Sequence, residues 1–547
     1  MTKFQKPNRL WLLLFPKEGA SFCLSAVFLA VLAFRFLQIR DLVLPAWVDS
    51  PHHTLIVELL RTQGSIPNTW LPYIPAEFYY HFGFHAVVAT FAELAELPSE
   101  QAILIMGQVI NALTVLSVYR LVIRLTGQNH IGIIAALLTG FFSQLPAYYV
   151  SWGRYALLCG MLVLPIAVEI VLGFIGSPSF SLGIILSLLI AGLALTHYRA
   201  LALYISALLI CIVAVLYQRR RFFLMIVSLG VSNFMALALV APWILRIISC
   251  YSNFVISPQV NLGVFEGLNS VAQFHESYPG DFDTYLKNML IRPTFVFLMI
   301  LAIIALLIHT KRNRRAVVFL LSWWAILLLL ASPLGLSYQS VINPDLVVVC
   351  SYLPLTVLAA IGISSLIRKV VLPLCGVKVT WFFGGILLLV LGFWGITDTM
   401  HIINPAFDLT TAADIEALEW VRVNTPPEAK FLINVAHLEG TVYRGTDAGW
   451  WIPLISYRET FLPPAITYGF AVEDFVYGVG SVAEQVMGLQ GCDQDFWSLV
   501  ENEHFTHIFI GANGGPLQPR WFDQCPGIRR IYMGYQVHIY EIVSHMR

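Results

Sequence analysis

Long apolar runs recur along this chain, and they constrain its fold more than any other feature of the sequence. A helix needs about 20 mostly apolar residues to cross a bilayer. Eleven stretches meet that requirement, near 20–39, 101–124, 131–150, 156–175, 181–197, 199–217, 222–248, 293–309, 316–332, 346–367 and 381–397. The sequence therefore predicts a polytopic α-helical membrane protein with about eleven spans.

The composition agrees with that prediction. Hydrophobic residues make up 58% of the 547 residues and charged residues only 12%, against about 25% charged in an average soluble domain. Lys plus Arg equals Asp plus Glu at 32 each, so no excess of charge points to nucleic acid as a partner. The eight cysteines show no CxxC spacing, which leaves no recognisable zinc or iron–sulfur motif.

Basic residues cluster at alternate connections between the predicted spans. With a cytoplasmic N-terminus, four of the five later cytoplasmic connections are basic, including Arg219-Arg220-Arg221 and the stretch from Lys311 to Arg315. The opposite connections contain the two long segments 40–100 and 249–292, and the C-terminal residues lie on the same side. The positive-inside rule therefore predicts a multi-pass protein of the cell membrane with an extracytoplasmic C-terminus.

The predicted topology divides the chain into two domains. Residues 1–397 form a transmembrane domain with external loops 40–100 and 249–292, and residues 398–547 form an extracytoplasmic domain. In the second domain, "DIEALEWVRVN" has helical periodicity, whereas "THIFIGA" and "IRRIYMGYQVHIYEI" have the pattern of strands. We expect a small α/β domain. Its two cysteines, Cys492 and Cys525, can form a disulfide, because the compartment outside the cytoplasm permits disulfides.

The first external loop places an acid directly after the first span. Asp49 lies in "LPAWVDSPHH", where Ser50 as the cap and Pro51 at the first helical position predict the start of a helix. That helix would end at Gly64 and lie along the membrane surface. A second helical stretch begins near His85, so two surface helices would flank one cleft.

The polar residues of this loop allow more than one interpretation. Asp49 either belongs to a functional site or is an interfacial acid that interacts with the helix dipole. His52 and His53 either bind substrate or hydrogen-bond to nearby loops, and with Asp49 they have a spacing that a metal site would permit but only weakly signal. His81 and His85 would share a helix face only if the helix continued through the glycine between them.

The layout of the whole chain resembles the GT-C class of membrane glycosyltransferases. The shared features are an acid just past the first span, a long external loop with surface helices, further spans and an external C-terminal domain. The stretches "WVDSPHHTLIVELLRTQGSIPNTW" and "FYYHFGFH" are similar to the first external loop of that class. The resemblance implies that Asp49 is a catalytic carboxylate. It also implies transfer of a sugar from a polyprenyl-phosphate donor to a glycan, lipid or protein acceptor.

The second external loop departs from the pattern of that class. Many members carry a second acid there, but "YYVSWGRYALLCG" contains Arg154 and no carboxylate. A divalent cation as cofactor is therefore doubtful. Glu276, Asp281 and Asp283 in the fourth loop are candidate substitutes, with solvated loop acids as the alternative interpretation.

Two arginines at external span ends suit the binding of a phosphate. Arg154 and Arg199 can each donate two parallel hydrogen bonds, although an arginine that extends toward the interface is the alternative. Arg199 lies with His197 in "LTHYRA", a polar interruption between two apolar runs.

In the C-terminal domain, "YRGTDAGWWIPLISYRE" combines charged and aromatic residues that suit sugar recognition. The alternative for its tryptophans is docking of the domain on the membrane. The candidate substrate-binding residues are thus His52, His53, Tyr80, His81, His85, Arg154, His197, Arg199, Glu276, Arg444, Trp450 and Trp451.

Two other classes of function remain open from the sequence. A transporter or flippase would also need many spans, but the chain shows no pair of broken helices and no two-half symmetry. A non-catalytic protein that binds a lipid-linked glycan would use the same cleft, and the missing second acid is compatible with it.

Overall fold

Helices make up most of the computed structural model, which describes residues 17–218, 222–256, 289–309, 311–331 and 341–543. Before residue 400 they are Lys17–Gln38 (α1), Asp49–Gln63 (α2), Gly83–Ala95 (α3), Ser99–Thr126 (α4), Asn129–Leu137 (α5), Tyr155–Gly176 (α6), Phe180–Thr196 (α7), Tyr198–Gln218 (α8), Phe222–Ile256 (α9), Pro293–Ile308 (α10), Arg314–Leu330 (α11), Pro344–Cys350 (α12), Tyr352–Leu366 (α13) and Leu372–Thr399 (α14).

Each of the eleven predicted spans coincides with helix. Within the described ranges, eight helical segments are long and apolar enough to cross a membrane. The other three predicted spans are the shorter helices α7, α10 and α11, with 17, 16 and 17 residues. The prediction of a polytopic helical membrane protein is confirmed, whereas the side on which each terminus lies stays a prediction.

Reporter fusions test that orientation. We expect fusions after Gly127, Arg221 and Arg315 to report the cytoplasm, because these positions follow the basic connections. Fusions at Asn68, Ser277 and the C-terminus should report the outside. A single reporter on the wrong side would separate the first loop from the C-terminal domain and contradict a shared site.

After α14 the chain forms an α/β unit, as its alternating patterns predict. A five-stranded sheet has the order β4-β1-β5-β7-β6, in which β1 pairs in parallel with β4 and β5, and β7 pairs antiparallel with β5 and β6. A separate hairpin joins β2 and β3. The strands are Lys430–Ile433 (β1), Val435–Glu439 (β2), Val442–Gly445 (β3), Glu459–Thr460 (β4), His507–Ile510 (β5), Ile528–Met533 (β6) and His538–Ile542 (β7).

The helices of this unit begin with the segment that was predicted as helical. They are Ala412–Asn424 (α15), Ile452–Ile455 (α16), Glu473–Gly488 (α17), Gln494–Glu503 (α18) and Pro519–Phe522 (α19). A capping box between Thr411 and Asp414 fixes the start of α15, because each side chain satisfies a backbone N–H of the other residue. Cys492 and Cys525 form a disulfide with their Cα atoms 5.9 Å apart, which agrees with the pairing expected for this domain.

Candidate functional site

The first loop folds into the two predicted helices, but α2 begins earlier than its sequence suggests. It starts at Asp49 with Val48 as the N-cap residue, so the expected cap at Ser50 is wrong. The Ser50 hydroxyl instead donates a hydrogen bond back to the carbonyl oxygen of Ala46, which removes it from the capping position. The predicted stop is correct, because Gly64 ends the helix with a left-handed φ of 61°.

Helix α2 is enclosed by protein over most of its length, whereas its position along the membrane surface stays a prediction. Every residue from Ser50 to Val57 is buried. The C-terminal domain supplies part of this cover, since the Thr467 hydroxyl hydrogen-bonds to His52 Nδ1 at 3.3 Å. The start of α2 therefore lies between the spans and the α/β unit.

Asp49 lies at this junction, with 24% of its side chain exposed. The Oδ2 atom of Asp49 lies 3.8 Å from Nε of Arg154, so the carboxylate forms an ion pair with this residue of the second loop. Burial raises the pKa of the Asp49 carboxyl above its ordinary value, and the positive charges of Arg154 and Arg199 oppose that rise. The site therefore combines one carboxylate with two guanidinium groups.

The second external loop reaches Asp49 because a glycine allows close approach. Gly153 has a left-handed φ of +66°, and a Cβ at this position would lie 2.5 Å from Ser50 Oγ and 2.8 Å from the Ala46 carbonyl oxygen. The next residue, Arg154, places its guanidinium group 5.0 Å from the ring centre of Trp152. The backbone contact and the aromatic ring together set the position of the arginine beside Asp49.

Five histidines gather beside the start of α2, and no local pattern in the sequence predicts that all five would meet. The ring centres are 5.4 Å apart for His52 and His53, 4.9 Å for His53 and His85, and 4.5 Å for His81 and His197. His53 Nδ1 and His85 Nε2 share a hydrogen bond of 2.8 Å. Because α3 begins only at Gly83, His81 precedes the helix and the two histidines share no helix face.

These imidazoles form a neutral polar wall. Burial lowers the pKa of His53 and of His81 to about 3, so both rings are uncharged near pH 7. His52 Nε2, His81 Nε2 and His85 Nδ1 are buried and lack a hydrogen-bond partner among the described residues. Atoms of this kind normally bind water or a ligand. In the described ranges, no group of three or more His, Cys, Asp or Glu side chains could hold a metal ion.

Tyr80 and Arg199 complete the cluster around Asp49. The Tyr80 ring stacks on His81 at 4.0 Å and meets the edge of His52 at 4.5 Å. Arg199 Nε donates a hydrogen bond to the hydroxyl of Tyr198 at 3.2 Å, and its backbone N–H donates to His197 Nδ1. The structure thus gathers the candidate residues of the first loop, the second loop and the start of α8 around Asp49.

The candidates in the C-terminal domain lie differently. Trp450 and Trp451 are 0% and 1% exposed, and Trp450 Nε1 donates a hydrogen bond to the Pro463 carbonyl oxygen. Neither ring has an exposed face, so both tryptophans pack in the domain core. The expectations that they stack on a sugar or dock the domain on the membrane are therefore wrong. Arg444 does reach the site, because its guanidinium group lies 5.0 Å from the ring centre of Trp47. Glu276, Asp281 and Asp283 lie outside the described residues.

Helix α2 also borders a cavity, which lies on the face opposite Asp49. This cavity of about 940 Å³ lies between the first loop and the C-terminal domain. Thr54, Glu58 and Arg61 line it from α2, whereas Glu419 and Arg422 line it from α15. Positions 54, 58 and 61 are roughly half a turn away from position 49 on a helix with 3.6 residues per turn. The two domains therefore meet on both faces of α2.

Solved structures with a similar fold place this architecture in a known class. An archaeal oligosaccharyltransferase, AglB from Archaeoglobus fulgidus in complex with an inhibitory peptide and a dolichol-phosphate, is 14% identical with a TM-score of 0.57, over 90% of this chain and 69% of that chain. ArnT from Cupriavidus metallidurans bound to undecaprenyl phosphate is 11% identical with a TM-score of 0.57, over 95% and 98% of the two chains.

A third similar structure is the arabinofuranosyltransferase AftD from Mycobacteria, 13% identical with a TM-score of 0.57, of which this chain spans 40%. All three are GT-C glycosyltransferases, and the chain has the GT-C fold. Residues 6–374 match the model of a family of unknown function, DUF6541, and the chain belongs to this family. Among curated proteins, none matches the sequence.

Proposed function

We propose that this protein is a GT-C-type glycosyltransferase that moves a sugar from a polyprenyl-phosphate donor to an acceptor at the outer face of the membrane. The observation that carries the proposal is the Asp49–Arg154 ion pair, which lies partly exposed at the start of α2 within a GT-C fold. A dolichol-phosphate in AglB and an undecaprenyl phosphate in ArnT, both proteins of similar fold, support a lipid phosphate as the donor group.

Asp49 acts as the general base in this proposal. The acceptor hydroxyl attacks the sugar carbon that is bonded to the donor phosphate, while the carboxylate takes the hydroxyl proton. The bond between the sugar carbon and the phosphate oxygen breaks, and the polyprenyl phosphate leaves with that electron pair. Burial raises the pKa of Asp49, which makes its carboxylate a stronger base, and the two arginines favour the ionised form.

Arg154 and Arg199 stabilise the charge that develops on the leaving phosphate. A guanidinium group matches two phosphate oxygens with parallel N–H donors, and fixed donors aimed at a developing charge lower the barrier. In the described ranges no carboxylate set accompanies Asp49, and the donors beside it are cationic, which does not fit a divalent cation. The proposed mechanism therefore assigns the phosphate to the arginines and contains no step that depends on a metal.

The neutral histidine wall suits a sugar. Sugar hydroxyls both donate and accept hydrogen bonds, and each neutral imidazole offers one donor and one acceptor. His52 Nε2 and His81 Nε2, which have no partner among the described residues, are the atoms we assign to sugar hydroxyls. Charged histidines would compete with the arginines for the phosphate. Because the pKa of His81 is low, its ring stays neutral and binds the sugar, whereas the arginines bind the phosphate.

Binding of a lipid phosphate tests the proposal directly. We expect the purified protein in nanodiscs to bind radiolabelled polyprenyl phosphate, and Arg154→Gln or Arg199→Gln to weaken binding by about tenfold to a hundredfold. This range follows from roughly 1.5–3 kcal/mol for a hydrogen bond to a charged group. The measurement is a filtration or scintillation binding assay at fixed salt.

Arg529→Gln is the matched control, because Arg529 lies exposed on β6 and forms an ion pair with Glu541 on β7. It should bind the lipid phosphate as tightly as the wild type. If the wild-type protein fails to bind polyprenyl phosphate, and transfers no sugar from a panel of polyprenyl-phosphate sugars, the proposed function is wrong.

A further inference from the structure

Trp47, two residues before Asp49, has an unusual backbone. Its φ is +66°, in the left-handed region that bulky side chains rarely adopt. Such a conformation persists where surrounding contacts fix it, and it is common next to functional residues. The Trp47 carbonyl oxygen accepts a hydrogen bond from Ser50 N–H at 3.2 Å, so this backbone leads directly into the first turn of α2.

Contacts from beyond the last span hold Trp47 in this conformation. Its N–H donates a hydrogen bond of 2.8 Å to the Phe407 carbonyl oxygen, and the two rings lie 4.1 Å apart. The guanidinium group of Arg444, on β3, lies 5.0 Å from the Trp47 ring centre. The opposite side of the same turn contacts Gly153, which leaves it little room to move.

We infer that Arg444 is a positioning residue, through which the C-terminal domain fixes the catalytic carboxylate. Arg444 holds the Trp47 ring, Trp47 sets the direction of the first turn of α2, and that turn presents Asp49 to Arg154. This inference rests on the proposed function, since it assigns a role to Arg444 in the same reaction. It replaces the expectation that Arg444 binds the sugar itself.

The position of Asp49 is sensitive to this support. A displacement of about 1 Å at a reacting group can reduce turnover by about 100-fold. The charged and titratable groups around the carboxylate are Arg154 from the second loop, Arg199 from α8, Tyr80 from the first loop, and His52 and His53 on its own helix. Arg444 contacts Trp47, so its removal leaves Arg154, Arg199 and Tyr80 in place, whereas the first turn of α2 loses its support.

Arg444→Ala tests the inference through kcat and its pH dependence. We expect kcat to fall by roughly 10- to 100-fold with little change in KM for the donor, because the donor site remains intact while the base is misplaced. Burial raises the pKa of Asp49, so a loosened turn that admits water lowers this pKa. The base then ionises at lower pH, and the acidic limb of the kcat profile moves to lower pH.

Arg444→Lys should restore most of kcat, because a lysine keeps a cation over the indole ring. Trp47→Gly is the second variant, since glycine adopts a positive φ freely but lacks the ring that Arg444 contacts. It should reproduce the lowered kcat and the moved acidic limb even if Arg444→Ala does not fold. Arg529→Ala, exposed on β6, should leave both unchanged.

The inference is overturned if Arg444→Ala loses activity only in proportion to the folded fraction, with the acidic limb unmoved. It is also overturned if folded Trp47→Gly keeps normal kcat and the normal limb. Both results leave the proposed function intact as long as Asp49→Asn is inactive. An active Asp49→Asn would instead reject Asp49 as the base, and a wild-type protein that transfers no sugar would reject the proposed function itself, so the failures are distinguishable.

Discussion

Sugar transfer should fall by about 10²–10⁴-fold when Asp49 is replaced by asparagine, which is the usual contribution of a general base. Asparagine keeps the shape of the side chain and loses its charge and its basicity. Because 24% of the Asp49 side chain is exposed, the substitution does not bury a new unpaired group, and the protein should remain folded in the membrane. The measurement is transfer per folded molecule in a membrane assay.

Asp41→Asn is the control for this substitution. Asp41 lies in the same loop, but its side chain is 80% exposed and forms an ion pair with Arg40 at the surface. Its replacement should leave transfer unchanged. Near-normal transfer by Asp49→Asn would reject Asp49 as the general base.

The second large effect is expected from Asp447→Ala, which should unfold the C-terminal domain. The buried carboxylate accepts hydrogen bonds from Asn434 Nδ2 at 2.7 Å, Gly449 N–H at 2.9 Å and Gly511 N–H at 2.8 Å. Alanine would leave these buried donors without an acceptor, at a cost of about 1–3 kcal/mol each. The sum approaches the roughly 5–15 kcal/mol that stabilises a typical domain.

Thermal unfolding and limited proteolysis of the C-terminal domain measure this effect. Asp474→Ala is the matched control, because Asp474 lies exposed in the first turn of α17. We expect early cleavage within residues 400–543 for Asp447→Ala alone. An unchanged melting temperature would mean that Asp447 contributes little to the domain, despite its three donors.

The fold was largely predictable because a bilayer imposes a strong rule on sequence. Backbone groups inside the hydrocarbon must be satisfied within each segment, so apolar runs of sufficient length become helices wherever they occur. The α/β unit was predictable from the change between helical and strand periodicity, as α15 and the hairpin of β6 and β7 illustrate. Local patterns sufficed for both.

The site was only partly predictable, because several of its contacts depend on distant parts of the chain. Asp49 and Arg154 stood out as external polar groups at span ends. The cap predicted at Ser50 was wrong because its hydroxyl donates a hydrogen bond to the Ala46 carbonyl oxygen instead of capping the helix. The stack of Arg444 on Trp47 joins two domains, and no local pattern distinguishes it from a sugar site.

The burial of Trp450 and Trp451 shows a second limit of the sequence. Aromatic residues beside charged residues occur both in sugar sites and in the cores of small domains, so composition alone does not separate them. The deciding facts are the hydrogen bond from Trp450 to Pro463 and the absence of exposed ring surface on either tryptophan. Both depend on how the chain closes around them.

The contacts of α2 also set an order for biosynthesis. His52 and its hydrogen-bond partner Thr467 are 415 residues apart. Helix α2 therefore leaves the ribosome long before the C-terminal domain that covers part of it. At about 5–20 residues per second, that interval lasts on the order of 20–80 s. During this time the part of α2 that the C-terminal domain covers, including His52 beside Thr467, lacks that cover. A nascent chain is therefore expected to stay inactive until its last domain has folded, which would prevent premature reaction with lipid-linked sugars during membrane insertion.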